Sequence, residues 1–422
     1  MCFSTEFCLF WQALLRCSFI VEVFAMIESQ ANVLAKRTLL LAAGAMGFAQ
    51  TVLFAILAPL GREVGLVEVQ IGAIISSSSL TLFLVSPLWG RASDLWGRRK
   101  ILLIGLFGYS VGTVMFASVF QAALLGYLIP VTALILLIVT RVANAVVMAA
   151  VAPSANAYMA DITTITDRIK GMGAIGAAGN IGSILGPAIG GLLASISLLT
   201  PLYFSVFLTL AAAVLTLYAL PELPKTVVTT KPKRLKYSDP RIFPLVIAGV
   251  FLFMGFAIVQ QTIAFRFQDV LGLDGTETAK VVGISLMFSA AAALLVQLLV
   301  IPRLHVRPFV LLRISMPIMM IAFAMMALSE SQSMYILAMC ILGLGMGLAG
   351  PGFMAGASVA VSSEEQGAVA GVAGSCGPLG FTVGPLLGTY LYSIDGSLPY
   401  WFAFGSYFLL FFFTLKFSDK KK

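Results

Sequence analysis

Apolar runs of about 17 to 28 residues alternate with short charged clusters along nearly the whole chain. A bilayer's hydrocarbon core is crossed by about 20 residues of α-helix. The runs predict spans over 38–60, 71–88, 101–124, 131–158, 171–193 and 202–220, and six more over 242–264, 281–301, 309–328, 334–359, 367–390 and 399–415. The stretch 101–152 carries one charge, Arg141, and is too long for a single crossing. Gly126 to Pro130 predicts the turn that divides it. Between the sixth and seventh spans lies the longest polar segment, 221–241, with six Lys or Arg. This gives an N-terminal extension over 1–37, a six-helix bundle over 38–220, a basic linker over 221–241, a second six-helix bundle over 242–416 and a basic tail over 417–422. Met26 is an alternative start, which would make the residues before it an upstream extension.

Composition supports an all-α membrane protein. Of 422 residues, 60% are hydrophobic and 10% charged, and mean hydropathy is +1.01. A soluble domain carries about 25% charged residues, so a soluble enzyme or a nucleic-acid reader is excluded. The net charge of +8 marks orientation instead: 21 of the 26 Lys and Arg fall in the termini and alternate loops on one side, and only Arg62, Arg266 and Lys280 on the other. By the positive-inside rule, both ends of the twelve-span body face the cytoplasm. Of the five cysteines, three lie in the extension and two, Cys340 and Cys376, within spans. Nothing in their spacing suggests disulfides, a metal site or a thiol nucleophile; no metal or other cofactor is expected.

The halves repeat one another. A shift of 198 residues places Gly173, Gly176, Gly179, Gly182, Gly186, Pro187 and Gly190 on Gly371, Gly374, Gly377, Gly380, Gly384, Pro385 and Gly388, and Pro153 on Pro351. Glycine at this spacing lets helices approach closely, and a mid-span proline leaves a carbonyl unpaired. Parallel repeats of this kind enclose a cavity between them.

After the second span comes Gly90-Arg91-Ala92-Ser93-Asp94-Leu95-Trp96-Gly97-Arg98-Arg99-Lys100. It resembles the G-x-L-A-D-x-x-G-R-R/K loop of the major facilitator superfamily, departing from it at Ala92. Arg141 with Asn144 resembles the arginine motif of drug:proton antiporters within that superfamily, and Gly182 to Gly191 resembles their span-five motif, which is associated with export. The resemblance covers residues 38 to 415. It implies two six-helix bundles related by pseudo-two-fold symmetry, with spans one, four, seven and ten lining the cavity.

On those spans Gln50, Arg141, Asn144, Gln260 and Gln261 are the candidate substrate-binding residues, with Met346, Phe353 and Met354 as an adaptable wall. The resemblance assigns Gly90, Asp94, Gly97, Arg98 and Asp161 to a cytoplasmic latch, with Asp94 facing the start of span eleven and Arg98 paired with Asp161. Gly182, Gly186, Pro187 and Gly190, with Gly384 and Pro385, form the antiporter motif and its repeat. No Asp or Glu lies mid-span, and Gln50 stands where many such antiporters carry an acid. One buried arginine and no buried acid suit neutral or anionic amphipathic molecules better than organic cations.

The sequence therefore reads as a secondary transporter in the plasma membrane, the bacterial inner membrane, exporting drug-like compounds or a secreted metabolite such as a siderophore. Its expected partners are a small-molecule substrate, a proton or other coupling ion, and the lipid bilayer; nucleic acid is not among them, and a monomer is expected. The rivals are an importer of a nutrient or organic acid on the same fold, and a membrane sensor without transport. Catalytic side chains in a cluster are lacking, so an enzyme is not expected.

Overall fold

The computed structural model describes residues 32–164, 167–222, 235–304, 306–362 and 365–415, apart from the side chain of Ile169. Most of the N-terminal extension, most of the linker and the basic tail lie outside the described residues.

Twelve apolar helices run through those residues: α1 (Asn32–Glu63), α2 (Glu68–Trp96), α3 (Arg98–Leu124), α4 (Pro130–Asp161), α5 (Arg168–Leu193), α6 (Thr200–Ala219), α7 (Phe243–Leu271), α8 (Gly275–Arg303), α9 (Pro308–Leu328), α10 (Gln332–Val359), α11 (Gln366–Ile394) and α12 (Leu398–Thr414). No strand occurs among the described residues. Lipid offers no partner for a backbone amide, and a helix satisfies its own. Eleven of the twelve are long enough to cross by length and composition; α12, at 17 residues, rises about 25 Å.

Proline and glycine set the ends. Pro130, Pro201, Pro244, Pro308 and Pro399 stand in first turns, where a missing N–H costs nothing. Gly97, at φ 102°, closes α2 and opens α3 in one residue, a conformation an L side chain avoids. Proline also loosens helix interiors. Ahead of Pro153, α4 slackens: Ala150 N–H donates to Val147 rather than Val146, and the Trp89 indole of α2 donates to the released Val146 carbonyl at 2.6 Å. Ahead of Pro302, α8 widens into a π-turn, Val296–Val300.

Each half is keyed by its glycines. A Cβ on Gly186 of α5 would stand 2.7 Å from the Phe48 carbonyl of α1, and Gly182 sits against Gly44 still more tightly. In the second half, Gly380 and Gly384 of α11 press on Met254 and Ala257 of α7 in the same way. With lipid tails as apolar as the side chains, such contact is what holds spans together. The halves meet through α2 against α11 and α5 against α8. Gly72 abuts the Pro385 carbonyl, with 2.8 Å to an added Cβ, and Gly191 abuts that of Ala279, at 2.7 Å.

Candidate functional site

A cavity of about 430 Å³ lies between the halves. The first half lines it with Gln50, Thr51 and Phe54 of α1, Ser78 and Ser79 of α2, Arg141 and Met148 of α4, and Asn180, Ser183 and Pro187 of α5. The second half contributes Phe253, Phe256 and Gln260 of α7, Ser289 and Gln297 of α8, Met346 of α10, and Pro378 and Phe381 of α11. Helix spacing explains the selection. On α8, Leu286, Ala290, Ala293 and Gln297 recur at intervals of four, three and four, which keeps one face toward the cavity.

Of the lining side chains one is charged. Arg141 is 6% exposed; its guanidinium lies 5.9 Å from the Phe116 ring centre, and its Nε has no hydrogen-bond partner. Nearby Tyr109 donates its hydroxyl to the Ala49 carbonyl at 2.7 Å. Gln260, 8% exposed, leaves its Oε1 unpaired. A ring cluster crosses the cavity wall: Phe381 stands 5.8 Å from Phe54 of the other half and 6.4 Å from Phe256.

Gln50, Arg141, Gln260, Pro187 and Met346 are thus brought together. Asn144 and Gln261 are not. Asn144 turns toward α3, donating to Thr113 Oγ1 at 3.0 Å and to the Tyr109 carbonyl at 3.4 Å. Gln261 follows Gln260 by 100° of helix turn, is 3% exposed and stays off the cavity. Phe353 is buried over Gly249, and Met354 is an exposed side chain outside the lining. Sequence reasoning missed Asn180, Gln297 and the phenylalanines. The two amides were detectable as isolated polar residues in apolar surroundings; phenylalanine is too common in this chain to single out.

The two ends of the bundle differ. At the end carrying Gly97, Arg98 Nε donates to Asp161 at 3.2 Å and its Nη1 to Asp94, all within the first half. Asp94 accepts from Arg98, while in the first turn of α11 Gln366 accepts from the Ser358 hydroxyl of α10 at 2.7 Å and donates to the Ser358 carbonyl at 2.9 Å. Here Arg241, at the end of the linker, also ties Asp239 to Glu365 of the second half. The Arg241 guanidinium and the Ser362 N–H and hydroxyl hold the Glu365 carboxyl down at about 2. Gly173, Gly176, Gly371, Gly374 and Gly377 have open space where a Cβ would be. At the opposite end Arg62 spans the halves: it meets Asp269 of α7 through both carboxylate oxygens, at 2.6 and 3.0 Å, and Glu68 of its own half at 2.6 Å. Tyr392 of α11 donates to Asp269 at 2.7 Å, and Arg62 covers the Phe265 ring at 4.9 Å. The cavity is closed there and opens toward the Gly97 end.

Midway, Pro187 has no N–H for the Ser183 carbonyl; Thr51 of α1 donates to it instead at 3.1 Å. No cluster of three metal-ligating side chains occurs among the described residues.

The profile of the Major Facilitator Superfamily matches residues 39–385. The chain belongs to the major facilitator superfamily. It is a multi-pass membrane transporter and not an enzyme. Among relatives, Multidrug resistance protein 1 of Bacillus subtilis is 27% identical over 354 residues, 81% of this chain and 85% of that protein. Quinolone resistance protein NorA of Staphylococcus aureus is 30% identical over 156 residues, 37% of each. Among solved structures, a point mutant of the nucleoside transporter NupG aligns with a TM-score of 0.71 at 16% identity, covering 89% of this chain and 99% of that one. The human organic anion transporter MFSD10 aligns at 0.65 and 20% identity, covering 91% and 99%. At these identities the structures establish the shared fold. On that fold the cavity lies where two six-helix halves face each other, as parallel-repeat transporters place their substrate sites.

Proposed function

We propose that this major facilitator protein exports small amphipathic organic molecules in exchange for protons, by alternating access with the Gly97 end in the cytoplasm. The observation that carries this is the cavity between the halves, shut at the Arg62–Asp269 end and open at the other. Multidrug-resistance relatives at 27% identity over most of the chain favour efflux. Such a protein loads from the cytoplasm in the state described, and releases cargo when the Arg62 tie opens.

In the alternate state Asp94 would turn to the α11 N-terminus, whose helix dipole favours an anion, while Arg98 keeps Asp161. Gly97, the single residue between α2 and α3, gives that junction freedom to turn, and a Cβ on Gly90 of α2 would meet nothing within 4 Å. Gly182, Gly186, Pro187 and Gly190, with Gly384 and Pro385, form the flexing helices: Thr51 covers the carbonyl that Pro187 releases, so α5 bends without a bare polar group. The coupling proton has acids to use at the helix ends, where Asp94, Asp161, Glu63 and Asp269 all stand.

Inside-out vesicles test the reading. With an imposed pH gradient and a panel of dyes, antibiotics and chelators, accumulation that collapses when the gradient is dissipated is expected. Accumulation of the same compounds by right-side-out vesicles would make the protein an importer. Asp94→Asn should abolish flux while leaving membrane abundance unchanged; full flux would remove the latch.

A further inference from the structure

The cavity holds an arginine without a counter-ion, an unpaired amide carbonyl and a ring cluster shared between halves. Arg141 lies among buried side chains, and no carboxylate appears among the residues lining the cavity. A guanidinium stays protonated even when buried, and a charge held away from water is costly unless paired. The group that relieves this is a ligand carboxylate, which the planar guanidinium engages through two N–H groups at once. Gln260 Oε1, buried and without a donor, calls for one N–H or O–H on the same ligand. Between the halves Phe54, Phe256 and Phe381 stand with ring centres 5.8 and 6.4 Å apart, spacings at which a flat ring adds to a stack or an edge-to-face set. The volume of about 430 Å³ takes a two- or three-ring compound.

We propose that the cavity is a site for aromatic organic acids, with the carboxylate on Arg141, a hydrogen-bond donor on Gln260, and the ring system against Phe54, Phe256 and Phe381. This rests on the transport reading for the role of the cavity. It goes further in excluding lipophilic cations, which would meet Arg141 with no acid to offset it. Arg141 and Gln260 come from opposite halves, so one acid of this kind touches both and senses their relative position.

Binding to the purified full-length protein in detergent, by equilibrium dialysis, tests the assignment with three probes of one shape that carry the same hydroxyl donor: 6-hydroxynaphthalene-2-carboxylate, 6-hydroxynaphthalene-2-carboxamide and (6-hydroxynaphthalen-2-yl)methylammonium. The acid should bind about tenfold or more tighter than the amide, as expected for a charge-assisted pair, and the ammonium should not bind. Arg141→Gln should bring the acid-to-amide ratio to about one. Phe381→Leu and Phe54→Leu, which keep the site's charge, should lower 6-hydroxynaphthalene-2-carboxylate affinity severalfold and leave 4-hydroxycyclohexanecarboxylate little changed. Ammonium binding as tight as the acid's, an acid-to-amide ratio near one in the unaltered protein, or equal losses for both acids in the phenylalanine variants would overturn the assignment. The two readings fail separately. Acid binding as described, without gradient-driven export of any compound, removes antiport and leaves the site. Gradient-driven export of the ammonium in preference to the acid removes the site and leaves export.

Discussion

At the Gly97 end no described ion pair joins the two halves: Arg98 pairs with Asp94 and Asp161, Lys100 with Glu222, Lys170 with Asp167, and Arg241 with Asp239 and Glu365. At the other end Arg62 reaches across to Asp269 while keeping Glu68 beside it. The glycines divide the same way. Gly72, Gly191 and Gly283 are pressed against backbone of the other half, whereas Gly173, Gly176, Gly371 and Gly374 face open space. One end is therefore held by close backbone approach and a charge tie between halves, and the other by contacts that each half makes alone. Such an arrangement lets the halves rock without leaving bare charges: when Arg62 lets go of Asp269, it still has Glu68, and Asp269 still has Tyr392.

The contrast is broken most strongly by a wedge at the closed end. Gly191→Leu puts a side chain where an added Cβ already stands 2.7 Å from the Ala279 carbonyl. Overpacking costs about 1–3 kcal/mol, enough to shift a two-state ratio by about 5- to 150-fold. Spin labels at exposed Val67 and Glu277, in a chain stripped of cysteine, should then report a longer distance across that end; an unchanged distance would mean the contact is not what closes it. Arg62→Ala should lengthen the same distance in a smaller fraction of molecules. The Asp269 side chain is 45% exposed, so water screens the pair and the tie contributes about 1 kcal/mol or less.

Gly374→Val is the reciprocal test. With nothing near it, the added side chain should leave thermal stability within about 0.5 kcal/mol. Flux should nonetheless fall severalfold, because α11 needs that room when the open end closes. Normal flux in this variant would show that the Gly374 face never meets a partner.

The smallest effect concerns Glu365. Its folded-state carboxyl titrates at about 2 against an ordinary 4.5, so its contribution is present above 4.5 and is lost as pH falls toward 2. Glu365→Gln should leave the pH profile of transport between about 5 and 8 unchanged, since the carboxylate stays ionised throughout that window. A shifted profile would move the coupling proton to the Arg241 group.

How much of this was legible beforehand follows from what each feature depends on. The twelve helices and their ends were readable because the cost of burying a charge or an unpaired amide in lipid is local: it acts on each run of about 20 residues independently. Gly97 and the paired glycine stripes were readable for a related reason, since backbone conformation and helix spacing are short-range. Arg141 stood out as a single charge inside an apolar run, and Arg98 with Asp161 came from the motif.

Direction was harder. Gln260 and Gln261 are indistinguishable in sequence, and 100° of helix rotation decides that one lines the cavity and the other does not. Asn144 shares a motif with Arg141 yet serves α3. The Arg62–Asp269 tie joins residues 207 apart across two halves, and no local pattern announces it. The spans, the repeat and the scarcity of charge were already present in the order of residues, because they rest on hydrophobicity and spacing along the chain. Which polar groups face one cavity, which end is closed and what closes it emerge only from the packed helices, because they depend on how those of one half are turned and set against the other.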